Sequence, residues 1–220
     1  GMVESVNWIV VEKVCSFLDR HRELPLRNIS VNLTSEQIMG DEFCGRLETL
    51  LAAYQLSKDK LRIEITERVM SKDDKALSEK MQQMWKQGYR FYLDDFGVGY
   101  SNIYNVMHLP FECVKLDKSL MDELSTDQAN AKMVQEITKV FHDIGQLVVA
   151  EGIETEAQSK LAAGLGIDKI QGFYYARPMP EDQLLAFFGT VPVPEAGSGG
   201  SIKKIANFGE SGLFSSAFQK

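Results

Sequence analysis

The chain has few cysteines and few histidines. Its 220 residues include three of each, and Cys15, Cys44 and Cys113 lie far apart without any CxxC spacing. This set provides neither a disulfide framework nor a zinc site with the usual ligand spacing. Each cysteine lies among apolar residues, so we expect reduced, partly buried thiols. We therefore expect a cytoplasmic location, either as a separate protein or as the cytoplasmic part of a larger membrane protein.

The chain also lacks long apolar runs and an excess of positive charge. No stretch approaches the ~20 apolar residues of a membrane-spanning helix, and no signal peptide is visible. The formal net charge of -7 excludes broad binding to duplex nucleic acid, which requires clustered lysine and arginine. With 44% hydrophobic and 25% charged residues, the composition is that of a folded globular protein.

Short apolar segments alternate with amphipathic helical patterns through most of the chain. The predicted strands lie at 28–33, 61–67, 89–95, 112–117, 146–154 and 169–173. The predicted helices include 5–20, 36–56, 71–87, 102–108, 128–144 and 181–188. Strands that alternate with helices indicate consecutive βαβ units. The sequence therefore predicts an α/β domain with a parallel sheet over residues 3–190.

Residues 191–220 differ in composition from the rest of the chain. They begin with Val-Pro-Val-Pro, continue through a glycine- and serine-rich stretch at 195–201, and end in a segment that contains Phe208, Phe214 and Phe218. The first two parts are typical of a linker. The final segment is compatible with a disordered end, an appended peptide or a segment that docks into a groove.

Two adjacent carboxylates end the most informative predicted strand. Apolar residues from Tyr89 lead to Asp94 and Asp95, and a glycine-rich turn follows. Because neighbouring residues of a strand face opposite sides of the sheet, both carboxylates are tolerated where water, a cation or a ligand meets them. Considered alone, the stretch is equally compatible with a solvated turn in which an aspartate caps a helix.

Polar side chains lie at or near the C-terminal end of all six predicted strands. They are Asn32, Glu64, Asp94, Asp95, Lys115, Glu151 and Gln171. Because ligands bind at this edge of parallel sheets, we expect these side chains to converge. For Glu64, a structural salt bridge with Arg62 is the alternative, and Lys115 in an apolar strand needs carboxylate or phosphate partners. The set suits two Mg²⁺ or Mn²⁺ ions and the hydrolysis of a phosphodiester.

The motifs around these residues resemble a known family. They are SVNLT with Asn32, EITE with Glu64 and Glu67, DDFGVGYS with Asp94 and Asp95, VKLD with Lys115, EGIE with Glu151 and Glu154, and QGF with Gln171. In this order they resemble the motifs of the EAL-domain cyclic di-GMP phosphodiesterases over residues 3–190. The resemblance implies a TIM-like (β/α) barrel that hydrolyses cyclic di-GMP to linear pGpG with Mg²⁺ or Mn²⁺.

The resemblance also implies a role for each matching residue. Asn32, Glu64 and Asp94 would hold one metal, and Asp94, Asp95 and Glu151 the other. Lys115, Asp95 and Glu151 would form the catalytic group, with Lys115 on the attacking water. The residues that bind substrate or anchor loops would be Glu67, Glu154 and Gln171, with Glu67 anchoring a loop at 96–102 that couples the site to dimerisation. The implied partners are cyclic di-GMP, a second copy in a homodimer, and an upstream sensory or GGDEF-type domain.

The sequence departs from the family in one respect. It contains no Glu-Ala-Leu tripeptide, whose glutamate completes the first metal site in the family. Six predicted strands instead of eight imply a barrel that lacks its first strands and has two open edges. We therefore expect weak or absent turnover from this chain. A non-catalytic cyclic di-GMP receptor or protein-interaction module is the alternative, although the retained Asp94, Asp95, Lys115 and Glu151 favour an enzyme.

Overall fold

The protein is built around a six-stranded parallel sheet. A computed structural model describes residues 2–67, 75–99, 103–124 and 128–190. The sheet order β1-β2-β3-β4-β5-β6 follows the chain, and the sheet curls into a half-barrel. The strands are β1 (Ile29–Asn32), β2 (Leu61–Thr66), β3 (Phe91–Phe96), β4 (Phe111–Leu116), β5 (Leu147–Ala150) and β6 (Lys169–Ile170). The predicted parallel sheet is confirmed, whereas the tail at 191–220 lies outside the described residues.

Helices flank the sheet and connect successive strands. They are α1 (Met2–Arg20), α2 (Ser35–Met39), α3 (Phe43–Ala53), α4 (Lys75–Lys86), α5 (Ile103–His108), α6 (Lys118–Glu123), α7 (Gln128–Asp143), α8 (Glu156–Gly164) and α9 (Glu181–Thr190). A short 3₁₀ turn at Lys58–Lys60 precedes β2. Within the described ranges, no helix is both long enough and apolar enough to cross a bilayer.

The helix predicted over 36–56 is two helices. The backbone leaves the helical region at Gly40, with φ -57° and ψ 136°, and α3 begins at Phe43. Glycine costs about 1 kcal/mol more than alanine inside a helix, which favours an interruption at this point. The apolar spacing continues across the break, so periodicity did not reveal it.

The two faces of the sheet have opposite character. On the helix-covered face, alternate residues such as Ile63, Leu93 and Val148 belong to the main core. On the inner face, Tyr92, Cys113 and Val149 form a small apolar cluster. Glu64, Asp94 and Lys115 share this inner face because strand residues alternate between faces. This alternation directs them towards the lumen of the half-barrel.

Two strand-to-helix loops end in reciprocal caps. Thr34 Oγ1 accepts from the Gln37 backbone N–H at 3.3 Å, and Gln37 Oε1 accepts from the Thr34 N–H at 3.1 Å. Thr155 and Gln158 repeat the arrangement at the start of α8, at 3.2 and 3.0 Å. Such capping boxes satisfy N–H groups that a helix start leaves unpaired. They hold the loops after β1 and β5 short and ordered beside the C-terminal edge.

Two of the three free cysteines should resist alkylation in the folded protein. Cys15 and Cys113 have no exposed surface. Burial raises the pKa of the Cys15 thiol to about 11, with Glu12 adding to the rise, and that of Cys113 to about 12. Because the thiolate is the nucleophile, we expect iodoacetamide near neutral pH to modify Cys44 first, and all three thiols in denaturant. Mass spectrometry counts the adducts, and fast native labelling of Cys15 or Cys113 would contradict the buried placement.

Candidate active site

Three strands place carboxylates around one buried ammonium group. Lys115 Nζ lies 2.7 Å from Asp94 Oδ1, 2.7 Å from Glu151 Oε1 and 3.2 Å from Glu64 Oε1. Lys115 is 1% exposed and Glu64 is fully buried. A buried charge is costly unless it is paired, and here the ammonium meets an acid from β2, from β3 and from the end of β5. The prediction that Lys115 requires acidic partners is confirmed.

A bulge at the end of β3 brings Asp94 and Asp95 to the same side of the sheet. Leu93 pairs with Val114 and Phe96 with Leu116, so the two aspartates together oppose Lys115. Asp95 has a left-handed backbone, with φ +57°, which two-to-one bulges and aspartate both accommodate. The oxygens of Asp94, Asp95 and Glu151 consequently lie within 4.8 Å of one another. Simple alternation would have placed the aspartates on opposite faces.

The environment shifts the pKa of three groups in this cluster. Burial raises the pKa of Glu64, and Asp94 adds to the rise while Lys115 opposes it. Burial likewise raises the pKa of Glu151 to about 7, again with Lys115 opposing the rise and Asp94 adding to it. Burial alone would lower the pKa of Lys115, but Glu64, Glu151 and Asp94 outweigh that effect and hold it well above its usual value. A nearby cation would stabilise the charged form of these carboxylates, which burial and the neighbouring acids disfavour.

Several oxygens around the cluster accept no hydrogen bond of good geometry from the described residues. They are the buried atoms Asn32 Oδ1, Gln171 Oε1 and both carboxylate oxygens of Glu64, although Glu64 Oε1 keeps its 3.2 Å ion pair with Lys115. Asn32 and Glu64 are register partners on adjacent strands. Buried polar atoms are ordinarily paired, and hard oxygen donors are the preferred ligands of Mg²⁺ and Mn²⁺. The donor set therefore fits divalent cations.

Arg62 does not pair with Glu64. Its Nε donates to Glu112 Oε2 at 2.5 Å, and its Nη1 donates to the Asp59 carbonyl at 2.7 Å. The structural salt bridge considered for Glu64 is therefore wrong. Since the Arg62 guanidinium is directed to Glu112 on β4, the cation that faces Glu64 is Lys115.

Glu67 contacts the turn that follows β3. Its Oε2 accepts from the Gly97 backbone N–H at 2.7 Å, and a Cβ on Gly99 would lie 2.7 Å from its Oε1. This geometry agrees with the anchoring role that the resemblance implies. Residues 100–102 of the same loop lie outside the described part of the chain. Its coupling to dimerisation stays a prediction.

Glu154 and Gln171 occupy the loops after β5 and β6. Glu154 Oε1 accepts from Lys118 Nζ at 2.6 Å. The backbone N–H of Gln171 donates to the Ala150 carbonyl at 2.8 Å, and its own carbonyl accepts from the Ile153 N–H at 3.1 Å. The next residue, Gly172, packs so closely that a Cβ there would lie 2.1 Å from the Ile153 carbonyl oxygen. Gln171 is thus held at the edge of the site by its backbone.

Sequence reasoning missed Lys118. It stands in Asp117-Lys118-Ser119, where Asp117 caps α6 by accepting from the Ser119 N–H at 2.8 Å. This pattern is that of an ordinary exposed helix start, so it carried no functional signal. Its contact with Glu154 depends on the packing of two loops that are 36 residues apart in sequence.

Comparison with protein families and curated proteins gives a consistent result. The family model described as "EAL domain" matches residues 1–178. MucR of Pseudomonas aeruginosa, a bifunctional diguanylate cyclase/cyclic di-GMP phosphodiesterase, is 35% identical over 72% of this chain and 23% of its own length. PdeR of Escherichia coli, a cyclic di-GMP phosphodiesterase, is 26% identical over 79% of this chain and 26% of its own length. The chain thus spans about a quarter of these relatives.

Solved structures share the fold. The PaMucR phosphodiesterase in complex with c-di-GMP superposes with a TM-score of 0.73 at 31% identity, over 83% of this chain and 74% of that one. The EAL domain of Mycobacterium smegmatis DcpA gives a TM-score of 0.79 at 23% identity, over 88% of each chain. The second likeness concerns the fold alone. Together these matches confirm the predicted TIM-like α/β architecture.

Proposed function

Since the chain belongs to the EAL-domain family, we propose that it hydrolyses cyclic di-GMP to linear pGpG in a reaction that requires divalent cations. The observation that carries the proposal is the ring of Glu64, Asp94 and Glu151 around Lys115, with Asp95 beside it. Four carboxylates and one ammonium leave a formal excess of negative charge. A phosphodiester would be repelled by this edge unless cations intervene.

The oxygen donors divide naturally into two groups. Asn32, Glu64 and Asp94 would hold one Mg²⁺ or Mn²⁺ ion, and Asp94, Asp95 and Glu151 would hold the other. The buried Asn32 Oδ1, which accepts no hydrogen bond from the described residues, and its register neighbour Glu64 support the first group, and the 4.8 Å clustering supports the second. When bound, such cations neutralise phosphoryl charge and lower the pKa of water.

The side chains of the chain position the reactants. The positive charge of Lys115 would lie beside the attacking water and would stabilise the negative charge that develops on the phosphoryl group. The water oxygen forms a bond to phosphorus while the P–O3′ bond breaks. One proton of the water ends on the departing 3′ oxygen, and the hydroxyl stays on the new 5′-phosphate. Gln171 would complete the wall of the site next to Glu151.

A receptor without turnover is the second candidate, and the absent Glu-Ala-Leu tripeptide favours it. Without that glutamate, the Asn32 and Glu64 group has one carboxylate fewer for its cation. A weakly held first cation would permit ligand binding and leave the hydrolysis slow. We therefore expect slow turnover from this chain. A homodimer and an upstream sensory or GGDEF-type domain stay predictions.

The direct test incubates the chain with cyclic di-GMP in Mg²⁺ or Mn²⁺ and follows pGpG by chromatography. We expect slow hydrolysis that EDTA abolishes and that Asp94→Asn removes. Calorimetric titration in Ca²⁺ measures ligand binding separately from turnover. Binding without hydrolysis would establish the receptor and overturn the enzyme. Absence of both would overturn each candidate, and rapid hydrolysis would show that the first cation site needs no further glutamate.

A further inference from the structure

An exposed ion pair joins the start of α6, just after β4, to the loop that follows β5. Lys118 Nζ donates to Glu154 Oε1 at 2.6 Å, and the two side chains are 45% and 48% exposed. Lys118 lies three residues after Lys115, and Glu154 lies three residues after Glu151. The pair, called here the Lys118–Glu154 bridge, therefore joins the chain just beyond two members of the acidic cluster.

The stem of Lys118 lies directly on Gly152. A Cβ at Gly152 would be 2.4 Å from both Cβ and Cγ of Lys118 and 2.7 Å from Cδ. Gly152 is also in the left-handed region, with φ +67°, where glycine is favoured. The absence of a side chain at residue 152 is thus what lets Lys118 pack against the backbone immediately after Glu151.

Further contacts hold the same segment. The Glu154 backbone N–H donates to Gln158 Oε1 at 2.9 Å, and Gln158 Nε2 donates to Asp122 Oδ1 at 3.4 Å. On the other side, the Ile153 N–H donates to the Gln171 carbonyl at 3.1 Å, and Gly172 packs on the Ile153 backbone. Residues 152–154 are therefore held between α6 and the loop after β6.

We propose that the Lys118–Glu154 bridge, seated on Gly152, positions Glu151 for cation binding. Lys118 and Glu154 are positioning residues and do not contact the cation. The inference rests on the proposed function, since it assigns Glu151 to a divalent cation. The ladder between β4 and β5 sets the spacing of the two strands. The bridge fixes the segment after Glu151 against the start of α6, which orients the Glu151 side chain towards Asp94 and Asp95.

Because the bridge is exposed, its effect on metal affinity can be measured separately from its effect on folding stability. Exposed ion pairs contribute little to folding, so its loss should leave the melting temperature almost unchanged. Residues that orient metal ligands typically change metal affinity by ~10- to 100-fold when they are removed. For an exposed pair that acts through the backbone we expect the lower end, about a tenfold loss of Mn²⁺ affinity.

The first test uses calorimetric titration of the whole chain with MnCl₂. We expect Lys118→Glu and Glu154→Lys each to weaken Mn²⁺ binding, and the double swap to restore most of it. Lys132→Glu is the matched control, because Lys132 also pairs at 2.6 Å, with Glu136 on α7, away from the site. Equal affinities for the wild type and Lys118→Glu, or a double swap no better than the single variants, would overturn the proposal.

The second test compares two glycines that both have a positive φ, Gly152 and Gly145. Gly152→Ala and Gly145→Ala each place a side chain in the left-handed region, but the space around Gly145, at φ +80°, is open. We expect both variants to lose melting temperature, Gly152→Ala more because its new Cβ also clashes with Lys118, and we expect a loss of Mn²⁺ affinity in Gly152→Ala alone. Equal affinities in the two variants would overturn the proposal. Wild-type turnover of cyclic di-GMP, measured alongside, tests the proposed function separately, since Mn²⁺ affinity is read without substrate.

Discussion

Lys115→Met is expected to slow hydrolysis strongly and to destabilise the metal-free protein. Methionine keeps most of the length of the side chain but leaves Glu64, Asp94 and Glu151 facing one another without a cation. Removing one partner of a buried ion pair lowers the free energy of unfolding by about 3–5 kcal/mol. Proton uptake by the carboxylates will relieve part of that loss. We expect turnover to fall by ~10²- to 10³-fold, the range found when a group that stabilises developing charge is lost.

Urea unfolding with and without Mg²⁺ checks the stability part of this prediction. Saturating Mg²⁺ should recover part of the lost stability, because a ligand that binds only the native state stabilises it. Lys60→Met provides the control, since Lys60 is half-buried and donates to the Leu26 carbonyl at the opposite edge of the sheet. A metal-free Lys115→Met protein as stable as the wild type would show that the ammonium does not hold the acids together.

Asp95→Asn is expected to separate function from folding. Asparagine also tolerates the left-handed backbone of residue 95, so the bulge should persist. The substitution removes one charge from the cluster with Asp94 and Glu151, so we expect the metal-free melting temperature to stay the same or rise. Cation affinity should fall at least ~10-fold, as when a group that supports a metal site is lost, and turnover should fall further.

Asp95→Val is the companion variant for the backbone. A β-branched residue with φ > 0 is strained by about 1–2 kcal/mol, so this protein should unfold at lower temperature as well as lose activity. Thermal unfolding, Mn²⁺ titration and pGpG formation together check the pair. Hydrolysis by Asp95→Asn at the wild-type rate would show that the Asp95 charge has no part in the site.

The alternation of strands and helices was predictable because it depends on local order. Apolar residues with a period of two or about 3.6 mark strands and helices wherever they occur. Topology then places the ends of parallel strands at a common edge, so the approach of Asp94, Lys115 and Glu151 followed from pattern and chain order. The break between α2 and α3 was not predicted because Gly40 interrupts the helix without interrupting the apolar spacing.

The partners of the charged residues were less predictable. Arg62 lies two residues from Glu64 on the same face, yet it pairs with Glu112, 50 residues away. The Lys118–Glu154 bridge spans 36 residues and joins an ordinary helix start to an ordinary loop position. Pairing of this kind depends on strand register and on the packing of loops, and neither is encoded in the residues adjacent in sequence.

The order of residues was thus sufficient to predict the layered α/β fold, the edge at which the carboxylates and Lys115 converge and the oxygen-rich chemistry of that edge. Three features became apparent only from the folded structure. A bulge brings Asp95 beside Asp94 and Glu151, Arg62 pairs with Glu112, and Lys118 packs on Gly152. The physical reason is the distance along the chain over which each kind of interaction acts. Periodicity and turn chemistry act between near neighbours along the chain, whereas ion pairs and close packing act between atoms that folding alone brings together.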